Sequence, residues 1–155
     1  MNTDISSPVT GAAVTGLTSP TYTYSESTAP NANSRSYAVT AIGGTQTGVD
    51  TQSLASRPWT ITFGRPGTIR QQNAVDSSGV LRNVPFNTYT IVGRKGLTPL
   101  TDQASRTSIM RTEIPVPAGA DVYDQANLKA MISSYFGVCY AGASGIYGML
   151  TSGEL

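Results

Sequence analysis

Apolar and polar side chains alternate with a period of two through the middle of the chain. This period predicts β-strands over Pro58–Phe63, Val80–Lys95 and Arg106–Val116, with a bend or bulge at Pro85 in the second strand. One side of these strands is apolar, and the other is rich in threonine and arginine. The apolar side carries Trp59, Ile61, Phe63, Tyr89, Ile91, Met110 and Ile114, whereas the other side carries Thr60, Thr62, Thr88, Thr90, Arg94, Thr107, Arg111 and Glu113.

Such alternation is typical of an antiparallel sheet that buries one face and leaves the other in water. Two further segments extend the sheet toward the N-terminus. Val9–Leu17 and Thr21–Ser25 predict a hairpin, with Ser19 and Pro20 between its strands. Residues 37–42 predict another strand, which ends at a pair of glycines. We therefore expect a sheet of about five strands.

The period changes to that of a helix in the last quarter of the chain. Asp121 and Asp124 suit the start of a helix, where capping and the helix dipole favour acidic residues. We expect this helix to end near Gly137 and a second short helix to follow from Val138. Because glycines then recur at every third position, we expect an irregular or extended tail from about Ser144. The apolar stripe of the first helix comprises Leu128, Met131, Ile132, Tyr135 and Phe136.

The predicted fold class is α+β, in a single domain over residues 1–155. Its parts are an N-terminal hairpin or extension (1–34), an antiparallel sheet (35–117) and a helical part (121–150). One helix with a clear apolar stripe and one short, glycine-weakened helix are too few to cover the apolar face of five ordinary strands. Either the helices of a second copy help, or the N-terminal hairpin folds over the sheet. A symmetric dimer would also pair the last strand edge to edge and close an exposed edge.

Composition narrows the possible functions. Hydrophobic residues make up 39% of the 155 residues and charged residues only 12%, both below ordinary globular usage. Threonine, serine and glycine fill the difference, which favours strands and turns. A weakly charged surface also opposes self-association less. Composition alone fits an assembling subunit and also a threonine-rich β domain that does not assemble.

Enzymatic chemistry is disfavoured by the residues that the chain lacks. Without histidine there is no Ser-His or Cys-His pair, and the commonest general base is missing. The single cysteine, Cys139, forms no intrachain disulfide and suits a buried apolar position. We expect no catalytic residues, no metal and no cofactor. The start of the chain resembles no secretory signal, and no segment has the length of a membrane helix, so we expect a cytoplasmic protein without a membrane partner.

Charge is segregated along the chain. Residues 57–111 hold eight basic side chains against two acidic ones, a net charge of +6, whereas the flanking parts are mildly acidic. A basic centre suits an anionic partner such as nucleic acid. The same arginines would also suit the solvated ends of hairpins.

The order of these elements, together with several local stretches, resembles the coat proteins of the single-stranded RNA (levivirus-type) bacteriophages. The resemblance covers most of residues 35–140. Its closest stretches are Gly43–Val49, Pro58–Pro66, Asn83–Tyr89 and Glu113–Asp121, continuing through Asn127–Ala130.

This resemblance implies an intertwined dimer whose sheet continues across both subunits, with the helices of each chain packed over the sheet of the other. It further implies a self-assembled icosahedral shell, with T=3 symmetry, that encloses genomic single-stranded RNA. The shell would assemble in the cytoplasm of a bacterial host and would contain a maturation protein in the virion. The expected core and dimer interface comprise Trp59, Ile61, Phe63, Tyr89, Ile91, Met110, Leu128, Met131, Ile132 and Tyr135.

The resemblance also assigns roles to the threonine-rich face. Thr62 and Thr90 correspond to the threonines beside flipped-out adenines in the family. Val92 and Ile109 depart from the family pattern, because well-known members have a lysine and an asparagine there. Loop Gly96–Ser105, with Pro99 inside it, corresponds to the loop at the symmetry axes of the shell. The expected RNA-binding set is Thr60, Thr62, Thr88, Thr90, Arg94, Thr107 and Arg111.

Two other classes of function remain open from the sequence. A β-sandwich adhesion or pilus-like module would explain the threonine and serine content, but it predicts a secretion signal and no amphipathic C-terminal helix. A small cytoplasmic RNA-binding regulator would explain the basic centre. Only the coat-protein hypothesis predicts large particles from the chain alone.

Overall fold

Six antiparallel strands lie side by side in chain order within residues 4–155, which are the residues that the computed structural model describes. Helices follow the sheet, so the predicted α+β class is confirmed, with six strands instead of about five. The strands are β1 Val9–Thr10, β2 Thr18–Ser27, β3 Ser34–Thr45, β4 Trp59–Gly64, β5 Phe86–Leu97 and β6 Arg106–Pro117; the helices are α1 Ala120–Tyr123, α2 Gln125–Ala141 and α3 Ala143–Ser152.

The register of the strands separates the two predicted faces. Ile61 lies opposite Tyr37 on β3, whereas its neighbour Thr62 lies opposite Ser36 and therefore points to the other side. We call the first side the apolar face. It carries two edge-to-face aromatic pairs, Tyr37 with Phe63 and Tyr22 with Trp59, at centroid distances of 6.3 and 5.4 Å. The second side, the hydroxyl face, carries Thr60, Thr62, Thr88, Thr90, Arg94, Thr107 and Arg111.

The N-terminal hairpin differs from the prediction in the position of its turn. Pro20 lies inside β2, and the turn occupies residues 11–17. A register shift between Thr18 and Thr21 places Pro20 at an irregularity of the ladder, and its carbonyl accepts a hydrogen bond of 2.8 Å from the Gly11 amide. A proline is tolerated in a strand at such a bulge because no ladder donor is lost there. The turn therefore forms elsewhere.

The predicted boundaries of β3 and β5 are wrong for two local reasons. β3 continues past Gly43 to Thr45, since Gly44, at φ 75°, lets the backbone of Ser19 approach closely. A Cβ at position 44 would lie 2.2 Å from the Ser19 carbonyl oxygen, so the glycine permits strand contact here. β5 begins at Phe86, directly after Pro85, and not at residue 80. Residues 80–85 belong to the preceding loop.

The C-terminal prediction needs two corrections. α2 runs through Gly137 to Ala141, and the break falls at Gly142. The expected irregular tail is wrong, because α3 is a helix that ends at Gly153, whose φ of 75° is typical of a left-handed C-cap. Each glycine costs a helix only about 1 kcal/mol relative to alanine, so a few glycines weaken a helix without preventing it from forming. The helical part thus extends from Ala120 to Ser152, in three helices.

Few apolar side chains are buried within one chain. Among the described residues they are Tyr37, Val39, Val116 and Ala118. Neither α2 nor α3 contains a buried residue, and neither makes a close backbone contact with a strand. A chain of this length normally buries a much larger core. Within residues 4–155, no layer covers the apolar face and the helices completely.

The end of α2 is tied to the turn between β1 and β2. The Tyr140 hydroxyl donates a hydrogen bond of 3.3 Å to the Gly11 carbonyl, and the hydroxyls of Thr15 and Ser144 lie 2.9 Å apart. These contacts position the far end of α2 without burying its apolar stripe. None of the helices in residues 4–155 has the length and apolar character needed to cross a membrane.

Candidate functional site

The hydroxyl face brings the predicted RNA-binding residues together on three adjacent strands. Thr60 of β4 lies directly opposite Arg94 of β5, and Thr62 lies in one row with Val92 and Arg111. The remaining residues, Thr88, Thr90 and Thr107, lie opposite Pro115, Glu113 and Gly96 respectively. One continuous surface thus presents hydroxyls beside guanidinium groups.

These residues differ in accessibility. Thr88, Arg94, Thr107 and Arg111 are exposed, and Thr60 and Thr90 are half-buried. Thr62 is only 7% exposed, and its hydroxyl lies 3.1 Å from that of Ser36. The sequence predicted a solvated position for Thr62. The structure buries this side chain instead, because Ser36 of β3 and Val92 of β5 flank it on the same face.

A glycine opens space beside Thr90. Gly64 lies directly opposite Thr90 in the ladder, and a Cβ at position 64 would come within 2.6 Å of the Thr90 hydroxyl oxygen. The absence of that Cβ lets the hydroxyl lie over the backbone of β4. Thr90 is half-buried, whereas Thr62 is buried, so Thr90 is the better placed of the two to contact a ligand.

Ion pairs reduce the charge that the basic centre offers to a partner. Asp50 binds Arg57 at 3.0 Å and also pairs with Lys95, whose ammonium lies 4.2 Å from the centroid of the Trp59 ring. Lys95 is thus held on the apolar face by a carboxylate and an aromatic ring. Arg82 also forms an ion pair, in which its Nε lies 2.7 Å from the Asp76 carboxylate.

The unpaired arginines remain available to an anion. Within residues 4–155, Arg65, Arg70, Arg94 and Arg106 have no carboxylate at salt-bridge distance. Arg111 lies 3.9 Å from Glu113, at the limit of an ion pair, and both side chains are exposed. Such an exposed pair contributes little. Arg94 is the clearest cationic group on the hydroxyl face.

Sequence reasoning missed one exposed aromatic residue on this face. Phe86 is 52% exposed and has the same strand parity as Thr88 and Thr90. The period of two, extended back from Thr88, was the signal that would have revealed it. Val92 and the exposed Ile109 add apolar area to the centre of the same surface.

A second surface lies along β6, the last strand of the sheet. β6 is twelve residues long and pairs only with β5, so its outer edge is open, and Met110 is 67% exposed. A cleft of about 360 Å³ separates β6 from α2. Its lining comprises Arg111, Thr112, Glu113, Ile114, Pro115, Met131 and Tyr135.

The other predicted interface residues are also incompletely covered. Met131, Ile132 and Tyr135 of the helical stripe are exposed, and Leu128 is half-buried. On the apolar face, Trp59, Ile61, Phe63, Tyr89 and Ile91 are half-buried. Nearly the whole predicted interface is therefore accessible to a second molecule.

The loop between β5 and β6 is fixed at both ends. The Gly96 amide donates a 2.7 Å hydrogen bond to the Pro58 carbonyl, and the Ser105 hydroxyl donates to the Ser56 carbonyl. A Cβ at Gly96 would lie 2.7 Å from the Arg57 Cα, so this anchor requires glycine. Pro99, between the anchors, is exposed. Only the middle of the loop projects into solvent.

No group of three or more potential metal ligands occurs in the part of the chain that the structure describes.

Comparison with solved structures gives a match over nearly the full length. The chain is 49% identical to a structure described as a virus-like particle of bacteriophage ESE020, with a TM-score of 0.95, covering 99% of this chain and 100% of that one. No protein-family model matches the chain, and no curated protein matches it.

Proposed function

The chain belongs to the coat proteins of bacteriophages, and on that premise we propose that it dimerises and builds an icosahedral T=3 shell around single-stranded RNA. Its role is that of a structural subunit of a virion shell. The exposed apolar stripe of α2 is the single observation that carries the proposal, since a subunit that folds alone would cover it.

The distribution of apolar surface supports a dimer. α2 and α3 have no buried residues, and the apolar face of the sheet is only partly covered. If the helices of one subunit lie over the sheet of its partner, both surfaces are buried by the same contact. The open edge of β6 would pair with the partner's β6, which would satisfy its free backbone groups and remove an exposed edge.

The hydroxyl face is the proposed RNA-contacting surface. Arg94 and Arg111 would bind phosphates, because guanidinium groups form charge-assisted hydrogen bonds with phosphate oxygens. The hydroxyl of Thr90 would contact a base, and Phe86 offers a ring on which an unpaired base can stack. Val92 and Ile109 contribute no hydrogen bonds, so this surface favours phosphate contacts over readout of a specific hairpin.

The remaining parts of the proposal concern other surfaces and partners. The projecting loop around Pro99 would cluster at the symmetry axes of the shell, with Gly96 and Ser105 as its fixed ends. A maturation protein would join the virion, and assembly would take place in the cytoplasm of the bacterial host.

Expression of the chain alone tests the proposal. We expect particles much larger than a dimer, visible in electron micrographs, that protect RNA from added nuclease. A stable monomer would contradict both the dimer and the shell. A dimer that binds RNA without forming particles would favour the regulator hypothesis instead.

A further inference from the structure

The connection between β4 and β5 is long and has no regular secondary structure. It comprises residues 65–85, and connections of this length inside a compact domain are uncommon unless they carry a function. Three of its apolar side chains point into solvent: Ile69, Val75 and Val80 are 56%, 58% and 48% exposed. Contact of this loop with another molecule would remove these three side chains from water.

The base of this loop is tightly fixed. Asn87 at the start of β5 is buried. Its side-chain oxygen accepts a 2.8 Å hydrogen bond from the Arg70 backbone amide, and its side-chain nitrogen donates a 2.9 Å hydrogen bond to the Arg70 carbonyl. Asn73 donates a 2.7 Å hydrogen bond across the loop to the Asn83 carbonyl. Gln72 lies so close to Gly119 that a Cβ there would come within 2.8 Å of its side-chain oxygen.

The tip of the loop is also ordered by hydrogen bonds. The Asp76 carboxylate accepts bonds from the backbone amides of Ser78 and Val80, at 2.9 and 3.0 Å, and from Arg82, at 2.7 Å. The Asp76 amide in turn donates to the Val80 carbonyl at 2.9 Å. Val75 and Val80 are thus held on either side of a preformed turn.

We propose that loop 65–85 is a contact surface between neighbouring dimers of the shell, so that its occupant is another copy of this chain. A fixed loop with exposed apolar groups loses little conformational entropy on binding, which is the advantage of a preorganised interface. The proposed dimer contact uses the edge of β6 and the stripe of α2, and it leaves this loop unassigned. The inference rests on the proposed shell function.

Charge supports the choice of occupant. The loop carries Arg65, Arg70 and Arg82 against Asp76 alone, and neither Arg65 nor Arg70 has a carboxylate at salt-bridge distance within the described residues. In the helical part of the chain, Asp121, Asp124 and Glu154 are exposed and have no basic side chain at salt-bridge distance within the described residues. A neighbouring copy therefore offers exposed carboxylates to these arginines, which favours association between dimers.

A double substitution at the tip tests the contact. Val75→Ser with Val80→Ser removes apolar area and keeps the Asp76 hydrogen bonds, while Ser77→Ala changes an exposed position of the same turn as a matched control. We expect dimers with unchanged thermal stability, but about a tenfold higher protein concentration for half-maximal particle formation, as loss of buried valine surface predicts. Ser77→Ala should assemble like the unchanged chain.

Each other result overturns the inference. An unchanged assembly threshold would mean that the loop makes no contact between dimers, and dissociation of the double variant into monomers would place the loop inside the dimer. If the unchanged chain itself forms no particles under these conditions, the proposed shell function fails, and the contact between dimers fails with it.

Hydrogen exchange on the unchanged chain gives a second test that no folding defect can disturb. We expect backbone amides of residues 65–85 to exchange more slowly in particles than in unassembled dimers, whereas the exposed end of the chain beyond α3 should not change. Equal exchange of the loop in both states would contradict the proposal.

Discussion

At the scale of single residues, the distribution of paired and unpaired charge decides which groups can meet RNA. Asp50 holds Arg57 and Lys95, so two of the basic residues counted in the sequence are committed to structure. Arg94 lacks such a partner in the described part of the chain and lies on the same face as Thr60. A few unpaired guanidinium groups, and not the total charge, therefore define the proposed phosphate-binding surface.

Replacing Arg94 tests this assignment. Arg94→Ala should lower the RNA affinity and reduce the slope of log K against log salt by about one unit, as expected for one lost phosphate contact. Lys129→Ala, which removes an exposed charge from α2, is the matched control. RNA binding measured from about 50 to 200 mM salt gives both slopes; an equal slope for Arg94→Ala and the unchanged chain would place RNA on another surface.

The carboxyl group of Asp76 gives a pH-dependent prediction. Its hydrogen bonds with Arg82 and with the backbone of Val80 and Ser78 hold its pKa below the usual 3.8. A lowered pKa means that this carboxylate stabilises the turn above its ordinary pKa, and that the effect is lost as pH falls through the lowered value. We expect the amide chemical shifts of Ser78 and Val80 to change in that acidic range.

The variant Asp76→Asn provides the control for this titration. Its amide cannot ionise, so the acid transition at Ser78 and Val80 should be absent and the turn should be weakened already at neutral pH. A transition that persists in this variant would show that another group controls the turn.

At the scale of elements, α2 is unusual because a helix of a globular protein normally buries its apolar stripe within its own domain. Its stripe is exposed, although the helix is seventeen residues long. The apolar face of the sheet is likewise only partly covered, since its large side chains are half-buried. In the proposed dimer, the helices of one copy would cover the apolar face of the other.

Truncation of the stripe tests whether a partner covers it. Leu128→Ala or Ile132→Ala should reduce the free energy of unfolding by about 2–5 kcal/mol, the usual cost for a buried large aliphatic side chain, and should impair dimerisation. Ser133→Ala, at an exposed polar position of the same helix, should have little effect. Chemical denaturation measures the loss. Full stability of both stripe variants would mean that the stripe stays exposed in the native protein.

At the scale of the whole molecule, residues 4–155 bury little apolar surface for a chain of this length. The buried apolar side chains of the described residues number only four, of which Val39 alone is almost completely enclosed. The proposed dimer would supply further burial, and its formation would then be part of the folding reaction.

This coupling predicts that unfolding depends on protein concentration. Because a folded dimer would be in equilibrium with unfolded monomers, its midpoint of thermal or chemical denaturation should rise as the concentration of the dimer is increased. Measurements at several concentrations, under conditions that prevent shell formation, give the dependence. A constant midpoint would indicate a monomer that folds independently.

Much of the site was predictable because strand parity is local. The period of two separated Trp59 from Thr62, and the helical period found the stripe from Leu128 to Phe136. These patterns require only the geometry of one strand or helix, so the sequence by itself determined the α+β class and the two chemically different faces of the sheet.

Only the tertiary structure decided which members of those faces are usable. Thr62 is buried beside Ser36, Lys95 is bound by Asp50, and Pro20 lies within a strand because a bulge accommodates it. Each of these outcomes depends on residues distant in sequence that meet in space. Local periodicity contains no information about such contacts, and this is why accessibility, ion pairing and strand boundaries required the fold.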